Sequence, residues 1–267
     1  MRRLTPEESG TPNATSGGCS NFTGALSMPD DFFSRPLKCV VLCAGRGTRL
    51  ARPEYPKSMV EVAGRPLIDH LIDFWSRYTH DFIFVVGYQK DRVIDFLKKM
   101  PIRASFVEQK ELKGIGYALS LVEKLVSEKF IVVLGDCLCQ GDFSFPAEME
   151  QGVGVWRTGN PADIHRSYSV EISDGLITKV VEKPKELVND LCGLGFYFFD
   201  RAVFNYIRKT SPSPLRNEVE ITDVIEEMIM GEEHISPVFL SGNYINITYP
   251  DDLKRAAAFL KKPLLKK

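Results

Sequence analysis

The sequence has no excess of charge of either sign, since 34 Lys and Arg residues face 35 Asp and Glu residues across 267 positions. Binding to DNA, RNA or anionic lipid takes its affinity mainly from surplus Lys and Arg, so this balance excludes a domain-wide electrostatic surface for those polyanions. We therefore expect neither a nucleic acid nor a membrane as a partner. Any phosphate group that the protein binds has to be neutralised locally, by a few positioned cations.

Long apolar runs are also missing. No stretch approaches the roughly 18 consecutive apolar residues of a membrane-spanning helix, and the N-terminus lacks the apolar core of a secretory signal. The sequence therefore predicts a cytoplasmic protein, and its six cysteines are expected as free thiols. With four histidines and no CxxC pair, the Cys137-x-Cys139 spacing does not supply a zinc site.

Internal repeats of fixed period are absent, and composition divides the chain into two parts. Residues 1–36 are rich in Ser, Thr, Gly, Pro and Asn without sustained periodicity, which predicts a disordered N-terminal tail. Within it, Phe32 and Phe33 are the side chains expected to dock on the folded part. Residues 37–267 are expected to form one domain, within the usual size range of a single α/β unit.

Hydrophobic patterning changes character near the middle of this domain. Residues 37–136 alternate apolar strand-like runs with amphipathic helical segments, the last of which is expected over 116–128. The uninterrupted run at 129–136 is typical of a strand buried on both faces of a parallel sheet. After Asp136, strand-like segments dominate. Strands are expected at 152–158, 167–173, 176–183, 193–200 and 234–240, and helices at 201–209, 222–230 and 251–262. We predict an α/β fold, a Rossmann-like doubly wound mixed sheet with a partly antiparallel lid.

The most informative segment is the glycine-rich loop directly after the first strand, Leu42-Cys43-Ala44-Gly45-Arg46-Gly47-Thr48-Arg49-Leu50. At the carboxyl end of a parallel strand, glycines let backbone N–H groups approach phosphate oxygens. Arg49 and the nearby Lys57 add two positive charges. A Walker loop is excluded because no GK[ST] ends the loop, and the dinucleotide fingerprint is excluded because Leu50 stands where a third glycine is required.

From these residues onward the chain resembles the sugar-phosphate nucleotidylyltransferases, whose signature is G-x-G-T-R-L followed by P-K and then G-x-P. Further motifs of that family follow in order over residues 38–260. The matching segments are Gly45–Leu50, Pro56-Lys57, Gly64-Arg65-Pro66, Gln109 five residues before Gly114, Gly135-Asp136, Glu182-Lys183-Pro184, Gly195-Phe196-Tyr197, Glu220-Ile221-Thr222-Asp223, Tyr244–Ile247 and Pro250–Leu253. The resemblance implies a nucleotidyltransferase fold of the GT-A-like type, in which the lid binds the sugar.

The family joins a nucleoside triphosphate to a sugar 1-phosphate and releases pyrophosphate, so the resemblance implies an enzyme and assigns roles. Arg49 would bind the leaving pyrophosphate, Lys57 the α-phosphate, and Lys183 the phosphate of the sugar. Glu182 would accept hydrogen bonds from sugar hydroxyls. The remaining substrate-binding residues implied are Leu42, Ala44, Gly45, Gly47, Thr48, Gln109, Gly114 and Gly195. Such a reaction asks mainly for alignment and neutralisation of two polyanions, so no covalent nucleophile is expected.

A magnesium site is the cofactor that the resemblance implies. Asp136 ends an apolar strand, where a carboxylate is costly unless it binds something, and the family places a Mg²⁺ ligand there. The second ligand position corresponds to Asn246, whose neutral amide oxygen is expected to weaken metal binding without abolishing it.

The sequence indicates the nucleobase of the triphosphate and the phosphate acceptor less strongly than it indicates the family. The amide of Gln109 can both donate to O4 and accept from N3–H of uracil or thymine, which favours UTP or dTTP. Cytidylyl and guanylyl relatives stay open as alternatives, because residues 56–67 and 84–96 resemble them equally. Cys137 and Ser169 depart from the family pattern, which leaves room for an inositol or aminoalcohol phosphate such as choline phosphate as acceptor.

Thr222 and Asp223 are interpreted as a helix N-cap completed by Glu226, not as catalytic residues. A non-catalytic subunit that senses a sugar nucleotide is the alternative from another functional class. Retention of Arg49, Lys57 and the other charged motif residues argues against it. Assembly into a homo-oligomer is left open.

Overall fold

A computed structural model describes residues 30–33, 36–50, 54–213 and 217–261. Most of the predicted tail lies outside these ranges, so its disorder stays a prediction. Residues 30–33 are an exception, because they form a one-turn helix, α1 (Asp30–Phe33). Phe32 is fully buried with its ring 5.9 Å from that of Phe198, and the ring of Phe33 lies 5.0 Å from that of Phe145. Both phenylalanines therefore dock on the domain, as expected.

The first half of the domain builds a parallel sheet from the strands that the apolar runs predicted. In chain order its elements are β1 (Lys38–Leu42), β2 (Glu61–Val62), β3 (Arg65–Pro66), α2 (Leu67–Trp75), β4 (Asp81–Val86), α3 (Lys90–Leu97), β5 (Arg103–Glu108), α4 (Ile115–Ser120) and β6 (Lys129–Leu134). β1 pairs in parallel with β4 on one side and β6 on the other, with Val40 opposite both Ile83 and Val132. β5 extends the sheet beyond β4.

The second half extends the same sheet with strands of mixed direction. Its elements are β7 (Cys137–Ser144), β8 (Gln151–Arg157), α5 (Pro161–Arg166), β9 (Tyr168–Ser173), β10 (Leu176–Glu182), β11 (Leu191–Asp200), α6 (Val203–Lys209), α7 (Ile221–Met230), β12 (Ile235–Asn246) and α8 (Pro250–Leu260). β11 runs antiparallel to β6, and the order β5-β4-β1-β6-β11-β8-β12-β7 results, with the β9–β10 hairpin attached to β11. The predicted α/β fold with a mixed sheet and a partly antiparallel lid is confirmed.

Both faces of the sheet are covered, as a doubly wound arrangement requires. Alternate residues of β1 belong to different apolar layers: Val40 packs with the α4 and α7 side, and Cys39 and Val41 with the α2 and α3 side. Trp75 of α2, which is 1% exposed, stacks on Phe143 and meets Phe196 edge to face. Within the described residues, no helix is both long and apolar enough to cross a membrane.

The structure differs from the sequence prediction at several elements, including α4, α5 and β7. α4 covers only Ile115–Ser120, whereas the pattern predicted a helix through residue 128. α5 was not expected, although Asn160 caps it and Pro161 occupies its first turn. β7 was also missed; it pairs along its whole length with β12, where Gly141 faces Gly242. Both glycines have φ near +128°, and a Cβ on Gly141 would lie 1.7 Å from Ser241 O. The pairing of β7 with β12 therefore requires glycine at this position.

Candidate active site

The candidate site lies at the carboxyl edge of the parallel strands, where close backbone contacts form its floor. Gly135 N–H donates to Leu42 O at 2.9 Å, which ties the loop after β6 to the end of β1. A Cβ on Gly135 would lie 2.9 Å from both Leu42 O and Cys43 Cβ. This is the edge at which open α/β sheets bind their ligands.

A first cavity of about 340 Å³ opens above the glycine-rich loop. It brings together seven residues that the sequence predicted, namely Leu42, Ala44, Gly45, Lys57, Gln109, Gly114 and Asp136. Leu112, Ile115 and Ala118 give it one apolar wall. A partly apolar cavity with a few polar groups suits a nucleobase and its ribose.

A second cavity of about 360 Å³ lies between the sheet and the β9–β10 lid. It brings together Arg49, Lys57, Asp136, Glu182, Lys183, Gly195 and Asn246. Three tyrosines in its lining, Tyr168, Tyr197 and Tyr244, are almost fully buried. Cations beside hydrogen-bonding side chains match a phosphorylated, hydroxyl-rich ligand.

The two cavities meet at an ion pair between Lys57 and Asp136, two residues that line both of them. Lys57 Nζ lies 2.5 Å from Asp136 Oδ2, and the two side chains are 18% and 25% exposed. Such a contact is screened less than a surface ion pair. The predicted catalytic lysine and the predicted metal ligand are therefore neighbours at the junction of the cavities.

Two loop residues that were expected to bind substrate, Gly47 and Thr48, line neither cavity. Gly47 has φ +65°, and a Cβ there would lie 2.8 Å from Lys57 Cβ, so this glycine lets the loop pack against the lysine. Thr48 is exposed and opens a single 3₁₀ turn that carries Arg49. Direct substrate contacts of Gly47 and Thr48 stay a prediction.

Asp136 and Asn246 are brought together by strand pairing, although 110 positions separate them. Asn246 of β12 is the partner of Cys137, and Ile247 N–H donates to Asp136 O at 2.8 Å. The Asn246 amide oxygen accepts a hydrogen bond from Thr248 Oγ1 at 3.3 Å. A carboxylate and an amide oxygen at one cavity wall fit Mg²⁺, which uses one or two protein oxygens and completes its shell with substrate phosphates and water.

The Glu182-Lys183-Pro184 segment carries backbone strain. Lys183 lies in the left-handed region with φ +43°, where a residue other than glycine costs about 1–3 kcal/mol. Its N–H donates to Ser167 O at 2.8 Å, and His165 Nδ1–H donates to Pro184 O at 2.7 Å. Lys183 Nζ lies 2.6 Å from Glu182 Oε1. The surrounding contacts thus hold the strained lysine in the second cavity.

The amide of Gln109 is oriented by the backbone. This side chain lines the first cavity, and its Nε2 donates to Glu111 O at 3.1 Å. A carbonyl can only accept, so this bond determines which side of the amide is the nitrogen.

A family model described as Nucleotidyl transferase matches residues 38–262. The chain belongs to the nucleotidyl transferase family. This confirms the family that the motifs indicated.

Relatives and solved structures agree with this assignment. The chain is 32% identical over 240 residues to "UTP--glucose-1-phosphate uridylyltransferase AglF" of Haloferax volcanii, covering 85% of this chain and 97% of that protein. It is 31% identical over 229 residues to "Bifunctional protein GlmU" of Methanocaldococcus jannaschii, covering 84% of this chain but 54% of the relative. The chain therefore spans about half the length of the GlmU relatives.

Among solved structures, a putative glucose-1-phosphate thymidylyltransferase from Bacillus anthracis, in complex with a sucrose, superposes with a TM-score of 0.73. Sequence identity is 25%, and the match covers 86% of this chain and 98% of that one. The fold of this nucleotidyl transferase is thus that of its relatives over nearly the whole described domain.

Other residues that line the site of this nucleotidyl transferase were not singled out by the sequence. Glu220 borders both cavities, and Arg166 borders the second one. Arg166 donates to the buried Asp252 at 3.1 Å, a contact across 86 positions. For Glu220, the signal was its place at the start of a family motif. For Arg166, the Asn160-Pro161 helix start could have shown that a helix leads to the cavity.

One interpretation made from the motifs is wrong. α7 begins at Ile221 with Thr222 buried inside its first turn, and Glu226 Oε1 accepts from Val180 N–H, so these side chains form no capping box. Ser169 lines a separate hollow with Glu171 and Lys179, not the second cavity. The side chain at this position therefore does not decide between a sugar and an inositol or aminoalcohol phosphate as the acceptor.

Buried thiols and phenols around the site stay protonated. Burial raises the pKa of Cys43 to about 12 and the pKa values of Cys137 and Tyr244 well above their ordinary range. Since the thiolate is the nucleophilic form, neither cysteine is activated for attack. These groups can act as hydrogen-bond donors.

Proposed function

We propose that this nucleotidyl transferase joins a nucleoside triphosphate, UTP or dTTP, to a sugar 1-phosphate, giving an NDP-sugar and pyrophosphate. The observation that supports it is the meeting of two cavities at Lys57 and Asp136. One cavity has the partly apolar lining of a nucleoside site, and the other has the cations and hydroxyl-binding groups of a sugar phosphate site. The reacting phosphates would then lie at the junction.

The reaction needs no covalent intermediate. An oxygen of the sugar phosphate attacks the α-phosphorus, a new P–O bond forms, and the bond from that phosphorus to the oxygen bridging the α- and β-phosphates breaks. Lys57 would neutralise the α-phosphate, Arg49 the departing pyrophosphate and Lys183 the acceptor phosphate. Positioned cations of this kind contribute most of the rate in phosphoryl-type transfers.

The cofactor in this proposal is Mg²⁺, held by Asp136 and Asn246. When bound, it would supply positive charge to the phosphate oxygens at the junction. Lys57 contacts Asp136 Oδ2, so the lysine has to share this oxygen or move toward the α-phosphate when both substrates are present.

Base selection would rest on Gln109. Uracil and thymine present an acceptor at O4 beside a donor at N3–H, whereas cytosine presents the opposite order. Because Glu111 O holds the amide nitrogen, Gln109 offers one fixed order and can discriminate between the two. The UTP named for the relative from Haloferax volcanii supports the uracil choice.

The test is a grid of five nucleoside triphosphates against sugar 1-phosphates, inositol phosphate and choline phosphate, with pyrophosphate release as the readout. We expect the highest rate with UTP or dTTP and a hexose 1-phosphate, and loss of that rate in Lys57→Ala. The matched control is Lys254→Ala, since Lys254 is 83% exposed on α8 and is not among the residues that line either cavity. Preference for CTP or GTP would reject the base assignment. NDP-sugar binding without turnover on the whole grid would support a sensor instead.

A further inference from the structure

One buried thiol beside the site has no part in the function proposed above. Cys137 opens β7 directly after Asp136, is 2% exposed, and places its Sγ 3.5 Å from Asp136 Oδ1. The thiol is the donor of this bond, and the carboxylate oxygen accepts it. Lys57 contacts the other oxygen, Oδ2. Each oxygen of the Asp136 carboxylate is therefore bound by a different side chain.

The thiol is held in turn by Tyr244. Gly195 N–H donates to Tyr244 Oη at 3.2 Å, which leaves the phenolic hydrogen for Cys137 Sγ at 3.0 Å. All three donors then point the same way, from the backbone of β11 through Tyr244 and Cys137 to Asp136. A chain of hydrogen bonds with one direction fixes each member more firmly than an isolated bond does.

Gly195 makes the space for this chain. A Cβ at that position would lie 2.6 Å from Cys137 Sγ and 2.9 Å from Leu134 Cδ1, so a larger residue would displace the thiol. The family motif residue Gly195 therefore has a packing reason to be glycine here, in addition to the substrate contact expected from the sequence.

We propose that Cys137 is a positioning residue that orients the Asp136 carboxylate toward the metal and the substrate phosphates. This inference rests on the proposed function. Removing a group that orients a metal ligand typically weakens metal binding by about 10–100-fold, and because a thiol is a weak donor we expect about tenfold.

The experiment measures metal binding directly, with Mn²⁺ as the probe, in the presence of a UTP analogue whose α,β-bridging oxygen is replaced by methylene. Calorimetry gives the affinity without turnover. We expect Cys137→Ala to weaken Mn²⁺ binding about tenfold, and Cys137→Ser to retain affinity near that of the unmodified protein, because a hydroxyl also donates. The matched control is Cys39→Ala, which removes a buried thiol from the same apolar layer outside the lining of both cavities.

Equal Mn²⁺ affinity in Cys137→Ala and the unmodified protein would overturn the inference, as would an equal loss in Cys39→Ala. If Cys137→Ala does not fold, Tyr244→Phe removes the donor behind the thiol. Weaker Mn²⁺ binding is then expected, and unchanged binding would overturn the inference. Absence of Mn²⁺ binding in the unmodified protein would reject the metal site of the proposed function, and this inference with it. If the unmodified protein binds Mn²⁺ and only the variant results contradict the role of Cys137, the proposed function still stands.

Discussion

The ion pair between Lys57 and Asp136 predicts that a double variant of these residues regains stability but not activity. Lys57→Met removes the cation and leaves a half-buried carboxylate, and Asp136→Asn removes the anion and leaves a half-buried ammonium group. At 2.5 Å and an effective dielectric constant of about 20, the attraction is about 7 kcal/mol before desolvation is subtracted. Net values for hydrogen bonds to charged groups are about 1.5–3 kcal/mol, so each single variant should lose about that much free energy of unfolding.

The double variant, Lys57→Met with Asp136→Asn, should recover most of this loss because neither group is left uncompensated. Its activity should not recover. Both groups lie where the phosphates would react, and loss of one preorganised charge at such a place costs about 10²–10³ in turnover.

Urea unfolding of the four proteins measures the coupling free energy, and pyrophosphate release measures activity. Because each single variant loses about 1.5–3 kcal/mol and the double variant little, the coupling free energy should approach the sum of the two single losses, about 3–6 kcal/mol. Strictly additive losses of unfolding free energy would refute the contact, and turnover that recovers together with stability would refute the catalytic roles.

Three other predictions address separate parts of the structure. Gln109→Ala should impair the preferred pyrimidine triphosphate more than the other nucleotides in the same release assay, and equal loss on all of them would reject base reading by Gln109. Gly47→Ala should lower turnover at least tenfold, since φ +65° and a Cβ 2.8 Å from Lys57 Cβ force the loop away from the lysine; Gly159→Ala, with open space around its Cβ, is the control. Trp75→Ala should cost about 3–5 kcal/mol in urea unfolding because this side chain is 1% exposed among aromatic rings, and a loss below about 1 kcal/mol would contradict the packing.

The parallel half of the fold was predictable because strands buried on both faces carry continuous apolar runs, as in 129–134. β7 was not, because its sequence CLCQGDFS includes polar residues and a glycine, and its pairing partner β12 lies about a hundred positions later. Only the tertiary contact with Gly242 shows why Gly141 belongs in a strand. Local pattern therefore located the strands that carry apolar runs and missed β7, which only its pairing with β12 shows to be a strand.

In the site, too, motifs located individual residues but not the contacts between distant segments. Motifs located residues that line the two cavities, among them Ala44, Gln109 and the Glu182-Lys183 pair, because their order along the chain follows the family signature. Motifs could not show that Lys57 touches Asp136 across 79 positions or that Cys137 bonds with Tyr244 across 107. These contacts depend on how separate segments fold together, and they decide how the charged groups are oriented.

The balance of positive and negative charge over the whole chain is repeated within the site. Lys57 contacts Asp136 at 2.5 Å and Lys183 contacts Glu182 at 2.6 Å, so two cations expected to bind phosphate each have a carboxylate beside them. A polyanionic substrate then competes with carboxylates that are already in place, which lowers affinity for isolated phosphate. The same competition favours ligands that bind both lysines at once, because only such ligands make enough contacts to replace the Lys57–Asp136 and Lys183–Glu182 ion pairs. A protein with no surplus of positive charge can in this way bind two phosphorylated substrates at one junction and discriminate against other polyanions.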